Sequence, residues 1–135
     1  MVYLTRREHF NAAHRLYVTE WSEARNREVF GPCCRPNYHG HNFNLWVTVK
    51  GEPDPDTGFI INAKELSRIM KERVVRYLDH KNLNLDVEEF RSMQPSTENV
   101  VRVIWKRLES HLPPGILHRV KLEETENIYA EYFGE

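Results

Sequence analysis

Two cysteines and two histidines crowd into "GPCCRPNYHGHNF", residues 31 to 43, although the chain holds only two cysteines and seven histidines in all. A thiol and two imidazoles so close together have the residue types of a metal or nucleophilic site. His39 and His41 are two residues apart. On a strand, side chains two apart point to the same face, so both imidazoles could reach one ion. Gly40 between them removes side-chain bulk. His14, at the end of an earlier apolar stretch, shares parity with Phe10 and Ala12 and is the natural third ligand. Three neutral imidazoles suit Zn²⁺ and leave its fourth tetrahedral position open, as catalytic sites do and structural sites do not. The plain alternative is three ordinary histidines near strand ends. A zinc finger is disfavoured, because the cysteines are adjacent and no CxxC pair exists. His9, His111 and His118 have no such setting and read as surface or core-edge residues.

Other groups could join this chemistry. Cys33 or Cys34 could act as a fourth ligand or as a base, provided a cation stabilises its thiolate. "LDHKNLN" at 78 to 84 places Asp79 beside His80, a pair that can orient an imidazole for proton transfer. Its plain reading is a helix-terminal histidine beside a solvated carboxylate. Glu124 shares parity with Val120 and Leu122, so its carboxylate falls on an apolar face and needs a partner there. A ligand with two adjacent N–H donors, such as the amidine edge of a pterin or guanine, would serve, and so would a structural arginine. Glu98 lies in the first turn of a predicted helix, where the helix dipole alone accounts for it.

The elements that must position these groups are readable from periodicity. Residues 2 to 14 form a predicted strand. Residues 39 to 50 form a second, with His39, His41, Phe43, Leu45, Val47 and Val49 on one face. Between them Thr19 to Arg27 is polar and reads as a loop. "GEPDPDTG" at 51 to 58 reads as a turn. Asn62, with Glu65 three residues on, caps a predicted helix over 63–78. Ser96 caps a second helix, which "LPPG" at 112 to 115 stops. Residues 117 to 125 and 127 to 133 read as strands joined by a short hairpin. The predicted fold is α+β: a four-stranded antiparallel sheet with two helices on one face, in the order β-β-α-α-β-β, making one domain over residues 1–135.

Lys and Arg total 19 against 20 for Asp and Glu, so the basic excess of a nucleic-acid binder is missing. No run approaches the roughly 18 apolar residues of a membrane span. The first residues lack the apolar core of a signal peptide. Neighbouring cysteines make a strained disulfide, so a cytoplasmic protein with reduced thiols is expected.

In order along the chain, "FNAAHRL", "FGPCCRPNYHGHNF", "LDHKNLN", "PSTENVVRVIW" and "KLEETENIYAEYFGE" resemble the motifs of the 6-pyruvoyl-tetrahydropterin synthase family, of T-fold architecture. The resemblance spans nearly the whole chain. It implies a zinc-dependent lyase of tetrahydrobiopterin-type pterin biosynthesis. Such an enzyme converts 7,8-dihydroneopterin triphosphate to 6-pyruvoyl-tetrahydropterin and releases triphosphate. It implies zinc ligands His14, His39 and His41. It implies Cys33, Asp79, His80 and Glu124 in catalysis, with Glu124 anchoring the pterin and Glu98, Thr97 and Ser96 lining the same pocket. It also implies a homohexamer of two stacked trimers with active sites between subunits, where Asp79 and His80 serve a neighbour's Cys33. The related 6-carboxy-tetrahydropterin synthases of queuosine biosynthesis resemble a shorter pattern, Cys-x3-His-Gly-His. Here Arg35 stands at that cysteine position, and the longer Cys33-x5-His39 spacing favours the pyruvoyl branch. A branch acting in folate synthesis places a Glu near this cysteine, and none lies between Cys33 and His39. The carboxy branch, and a pterin- or purine-binding module without turnover, are the alternatives. Two residues depart from the pattern: Cys34 beside the expected thiol, and Tyr38 where small residues are common.

Overall fold

The computed structural model describes residues 1–135. Strand β1 runs Val2–His14 and pairs antiparallel with β2, His39–Gly51, from Val2 opposite Gly51 to His14 opposite His39. β2 pairs with β4, Leu117–Thr125, and β4 with β5, Ile128–Tyr132, around the turn at Glu126 and Asn127. Alternation puts Phe10, Phe43, Leu45, Val47, Val120 and Leu122 on one buried face. Asn11, Asn42 and Trp46 occupy the other face, where Lys121 lies over the Trp46 ring.

Two helices cover the apolar face, as predicted. Helix α2 begins at Ala63–Met70, with the Asn62 side chain accepting from the Lys64 N–H. It continues through a π turn, Lys71–Val75, to a last turn at Arg76–Leu78. Leu66, Met70, Val74 and Leu78 are all fully buried. That spacing of four would carry the row about 40° around a regular α-helix at each step. The wider π turn takes up the drift and keeps the row on the sheet. Helix α4, Thr97–Glu109, is capped by the Ser96 hydroxyl accepting from the Asn99 N–H, and it buries Val100, Val101, Ile104, Trp105 and Leu108.

Two expectations are corrected. The sheet has five strands, in the order β3-β1-β2-β4-β5, and is mixed rather than purely antiparallel. The added β3 is Lys81–Asn82, running parallel to Ala12 and Ala13. Two residues are too few to show alternation. Their placement follows from His80, whose left-handed backbone (φ 58) turns the chain after α2 and whose N–H donates to the Asn11 carbonyl at 2.6 Å. A short helix α3, Leu83–Asp86, follows directly.

The predicted loop at Thr19 to Arg27 contains the start of helix α1, Glu23–Phe30. Its sequence has no apolar stripe, so periodicity could not show it. Caps and a buried amide hold it instead. The Ser22 hydroxyl accepts from the Arg25 N–H at 3.1 Å. Buried Asn26 accepts from the Val18 N–H at 2.8 Å and donates to the Val18 and Ser22 carbonyls at 3.0 and 3.1 Å. Trp21 stacks on Phe30 across the helix. Because α1 leads straight into the cysteine turn, this amide anchors the thiols. Asn26→Ala is expected to cost about 1–3 kcal/mol in urea unfolding, by leaving the Val18 N–H unpaired; the Val18 carbonyl still accepts from the Trp21 N–H. Glu28→Ala, on the exposed side of α1, is the control and should stay within about 0.5 kcal/mol of the parent.

Candidate active site

The register of β1 and β2 brings the three predicted ligands together. His14 lies opposite His39, and Ala12 lies opposite His41, so all three rings leave the same face. Ring centroids are 4.6 Å apart for His14 and His39, 5.1 Å for His14 and His41, and 4.9 Å for His39 and His41. One nitrogen from each ring lies within 4.8 Å of the others. Gly40 is not what permits this. A Cβ there would lie 3.5 Å from the Ala12 carbonyl, an ordinary contact, so alternation and register are sufficient.

The charges around the rings call for a cation. Buried His14 has the Pro95 carbonyl 2.7 Å from Nδ1 and the Glu124 carboxylate 3.3 Å from Nε2. The carbonyl can only accept, so Nδ1 carries an N–H and Nε2 is the nitrogen directed at the carboxylate. The same Glu124 oxygen is 3.5 Å from His41 Nε2. Both Nε2 atoms are buried without an aligned hydrogen bond. Burial pushes His39 below the usual imidazole range, helped by His14 and His41, and burial pushes His41 down against the pull of Glu124. Contact with His14 holds the Glu124 carboxyl below the usual carboxylate range, outweighing burial, with His41 and a Thr97 hydrogen bond adding to it. An ionised carboxylate therefore faces the His41 ring, which resists protonation. A positive ion among the ring nitrogens would satisfy the lone pairs and the carboxylate at once, so the cluster could hold a metal ion.

The thiols sit on a tight 3₁₀ turn, Gly31–Cys34, entered through Gly31 at φ 57. Both cysteines are free. Cys34 is buried, whereas Cys33 is partly exposed. Burial pushes the Cys33 thiol up, and the nearby charges of Glu124 and Cys34 push it further. The charge of Glu124 thus bears on the histidines and on Cys33 alike. Buried Thr97, at the start of α4, also helps hold the Glu124 carboxyl down. Ser96 is occupied as a helix cap, and Glu98 is exposed on the first turn of α4.

Asp79 and His80 stand apart from this centre within one chain. His80 Nδ1 lies 2.8 Å from Asp79 Oδ2, and the other Asp79 oxygen accepts from the Asn11 N–H at 2.8 Å. That backbone bond, then the His80 contact, hold Asp79 below the usual carboxylate range against its slight burial. The pair lines a cavity of about 930 Å³ with Glu8, His9, Asn42, Lys71 and Arg76. None of the three clustered histidines borders it, and neither does Cys33 or Glu124. The cavity includes Asn11 and Asn42, which face away from the cluster on their strands. His9 is thus a neighbour of this pair; His111 is exposed, and His118 packs against Tyr3 and Phe133.

Pro95 is a residue of the site that periodicity missed. It marked only a helix start, yet its carbonyl selects the tautomer of His14. Asn84 and Gln94 were missed as well. Their side-chain amides hold the backbone of Arg15 and Tyr17 beyond the end of β1. No local pattern signals such long-range pairings.

A family model described as "6-pyruvoyl tetrahydropterin synthase" matches residues 3–135. The chain is 46% identical over 132 residues to proteins of Pongo abelii and Homo sapiens named 6-pyruvoyl tetrahydrobiopterin synthase, covering 98% of this chain and 91% of each relative. Its fold is similar to a solved 6-pyruvoyl tetrahydropterin synthase of Caenorhabditis elegans, with a TM-score of 0.94, 37% identity, and coverage of 99% of this chain and 96% of that one. With a three-histidine cluster, a thiol turn and a partnered carboxylate joined on a shared sheet, the chain belongs to the 6-pyruvoyl tetrahydropterin synthase family.

Proposed function

We propose that this chain converts 7,8-dihydroneopterin triphosphate to 6-pyruvoyl-tetrahydropterin and inorganic triphosphate, with Zn²⁺ held by His14, His39 and His41. The observation that carries the reading is the three-histidine cluster with ionised Glu124 set against two of its imidazoles, on a chain of this family that also has a partly exposed thiol. Zinc bound there would supply Lewis acidity at the substrate's side-chain hydroxyls. His14 is oriented for that ligation by the Pro95 carbonyl. Glu124, kept ionised, accepts from the two adjacent N–H donors of the pterin edge, with Thr97 steadying the carboxylate. Cys33 takes and returns protons at the side-chain carbons as general base and acid. Loss of triphosphate and internal tautomerisation complete the reaction without an external redox partner.

Asp79 and His80 act in the same reaction from a second subunit. Their place in a cavity at the open edge of β1, which their own chain's Cys33 does not border, supports a site shared between protomers. The sheet edges support assembly too. β3 covers only Ala12 and Ala13, so most of β1 has a free edge, as does β5. A homohexamer of two stacked trimers would close both. Its setting is the cytoplasm, where both thiols stay reduced, and no helix here is long and apolar enough to cross a membrane.

The decisive assay is incubation with the triphosphate substrate and identification of the product by mass. 6-Pyruvoyl-tetrahydropterin with triphosphate is expected. 6-Carboxy-tetrahydropterin with acetaldehyde would move the chain to the queuosine branch, and ligand binding without turnover would leave only a binding module. Cys33→Ala should lower kcat by about 100-fold or more with substrate still bound. Full activity in that variant would remove the thiol from the mechanism and favour a metal-bound hydroxide. Elemental analysis should find one zinc per protomer. His39→Ala should lose it, together with the rise in unfolding temperature that added zinc gives the parent. Glu124→Gln should keep the metal but raise KM, because an amide cannot accept from both pterin donors.

A further inference from the structure

Arg15 follows His14 directly, and its side chain turns back to the cysteine turn. Its guanidinium carbon lies 3.7 Å from the centre of the Tyr17 ring and 5.8 Å from that of Tyr38. Nη2 donates to the Cys34 carbonyl at 2.7 Å. The next residue continues the pattern: the Leu16 N–H donates to the Cys33 carbonyl at 2.8 Å. The carbonyls of both cysteines are therefore tied to the two residues just beyond His14. Asn84 holds the backbone of Arg15 from the other side, accepting from its N–H at 2.8 Å and donating to its carbonyl at 3.0 Å. The arginine is thus seated by its own backbone as well as by its stack.

Tyr38 links the same cation to the next ligand. It immediately precedes His39 and has a left-handed backbone, φ 64. That conformation is unfavourable for a residue with a Cβ. Its N–H donates to the Arg35 carbonyl at 3.2 Å, and its ring is directed toward Arg15. The cation between Tyr17 and Tyr38 spans the segments that leave His14 and enter His39, and it grips the turn carrying Cys33. Its Nε is closed off from solvent and has no partner. That nitrogen faces protein, where an incoming phosphate cannot reach it.

We propose that Arg15 is a positioning residue: stacked between Tyr17 and Tyr38 and bonded to the Cys34 carbonyl, it sets the Cys33 thiol against the three-histidine cluster. This rests on the reading of Cys33 as the proton-transfer group. Lysine would keep the charge but lose both the planar stack and the fork that reaches the carbonyl. A charge serving only to hold triphosphate would tolerate that exchange better and would show in KM.

The test uses the full chain loaded with zinc, as Arg15→Lys and Arg15→Met. Zinc content, kcat, KM and the iodoacetamide labelling rate of Cys33, mapped by mass, are compared with the parent. Expected are unchanged zinc and KM, a kcat lower by about 100-fold in both variants, and an altered labelling rate at Cys33. A raised KM with kcat preserved, or full activity in Arg15→Lys, would overturn the proposal. If Arg15→Met does not fold, Tyr17→Leu takes its place, since it keeps the arginine and removes its stack. The same pattern in milder form is then expected, and unchanged kcat and labelling would overturn it. Labelling needs no substrate. A parent chain without synthase activity would sink the proposed function, whereas unaltered Cys33 labelling in the variants would sink the positioning role alone.

Discussion

The pairing of His14 with His39 across β1 and β2 is the contact on which the site depends. Side chains alternate along a strand, so a slip of one residue would put His14 and the pair His39 and His41 on opposite faces. The same slip would expose Phe10 or Phe43, which stack with ring centres 5.0 Å apart just below the cluster. The apolar pattern that builds the core thus holds the ligand register as well. Burial of Phe43, Leu45 and Val47 under α2 and α4 makes the slipped register costly, and the histidines at the strand end share that protection.

Electrostatics then give the cluster its character. Glu124 arrives from β4 on the face it shares with Val120 and Leu122, and meets imidazole nitrogens rather than an arginine. The Pro95 carbonyl has already used the proton of His14. What remains is a carboxylate directed at two imidazole nitrogens, an arrangement that positive charge stabilises. The same carboxylate pushes the Cys33 thiol up, so the state of the thiol follows the charge of the cluster.

Beyond the end of β1 the chain has no strand partner, and side-chain amides replace one. Asn84 brackets Arg15, Gln94 brackets Tyr17 and Asn26 brackets Val18, each bonding both the N–H and the carbonyl of its residue. These amides carry the order of the sheet into the segment that faces the cysteine turn. They come from α3, from the stretch before α4 and from α1, so elements remote in sequence share in holding one loop.

The residue pattern by itself determined the strands that carry the histidines, both covering helices, the parity of Glu124 and the grouping of His14, His39 and His41, because alternation and helical spacing are local properties of a chain. The pattern left Cys33 and Cys34 open and only the family resemblance favoured Cys33; the structure adds that Cys34 is the buried one. Helix α1 and strand β3 were not legible. The first has no apolar stripe and stands on a buried amide, and the second has two residues placed by the turn at His80. Nor could the sequence show that Glu124 meets His14, that Pro95 chooses a tautomer, or that Asp79 and His80 open onto a cavity at the edge of β1 that none of the clustered histidines borders. Those facts depend on distances between residues far apart along the chain, and only folding sets such distances.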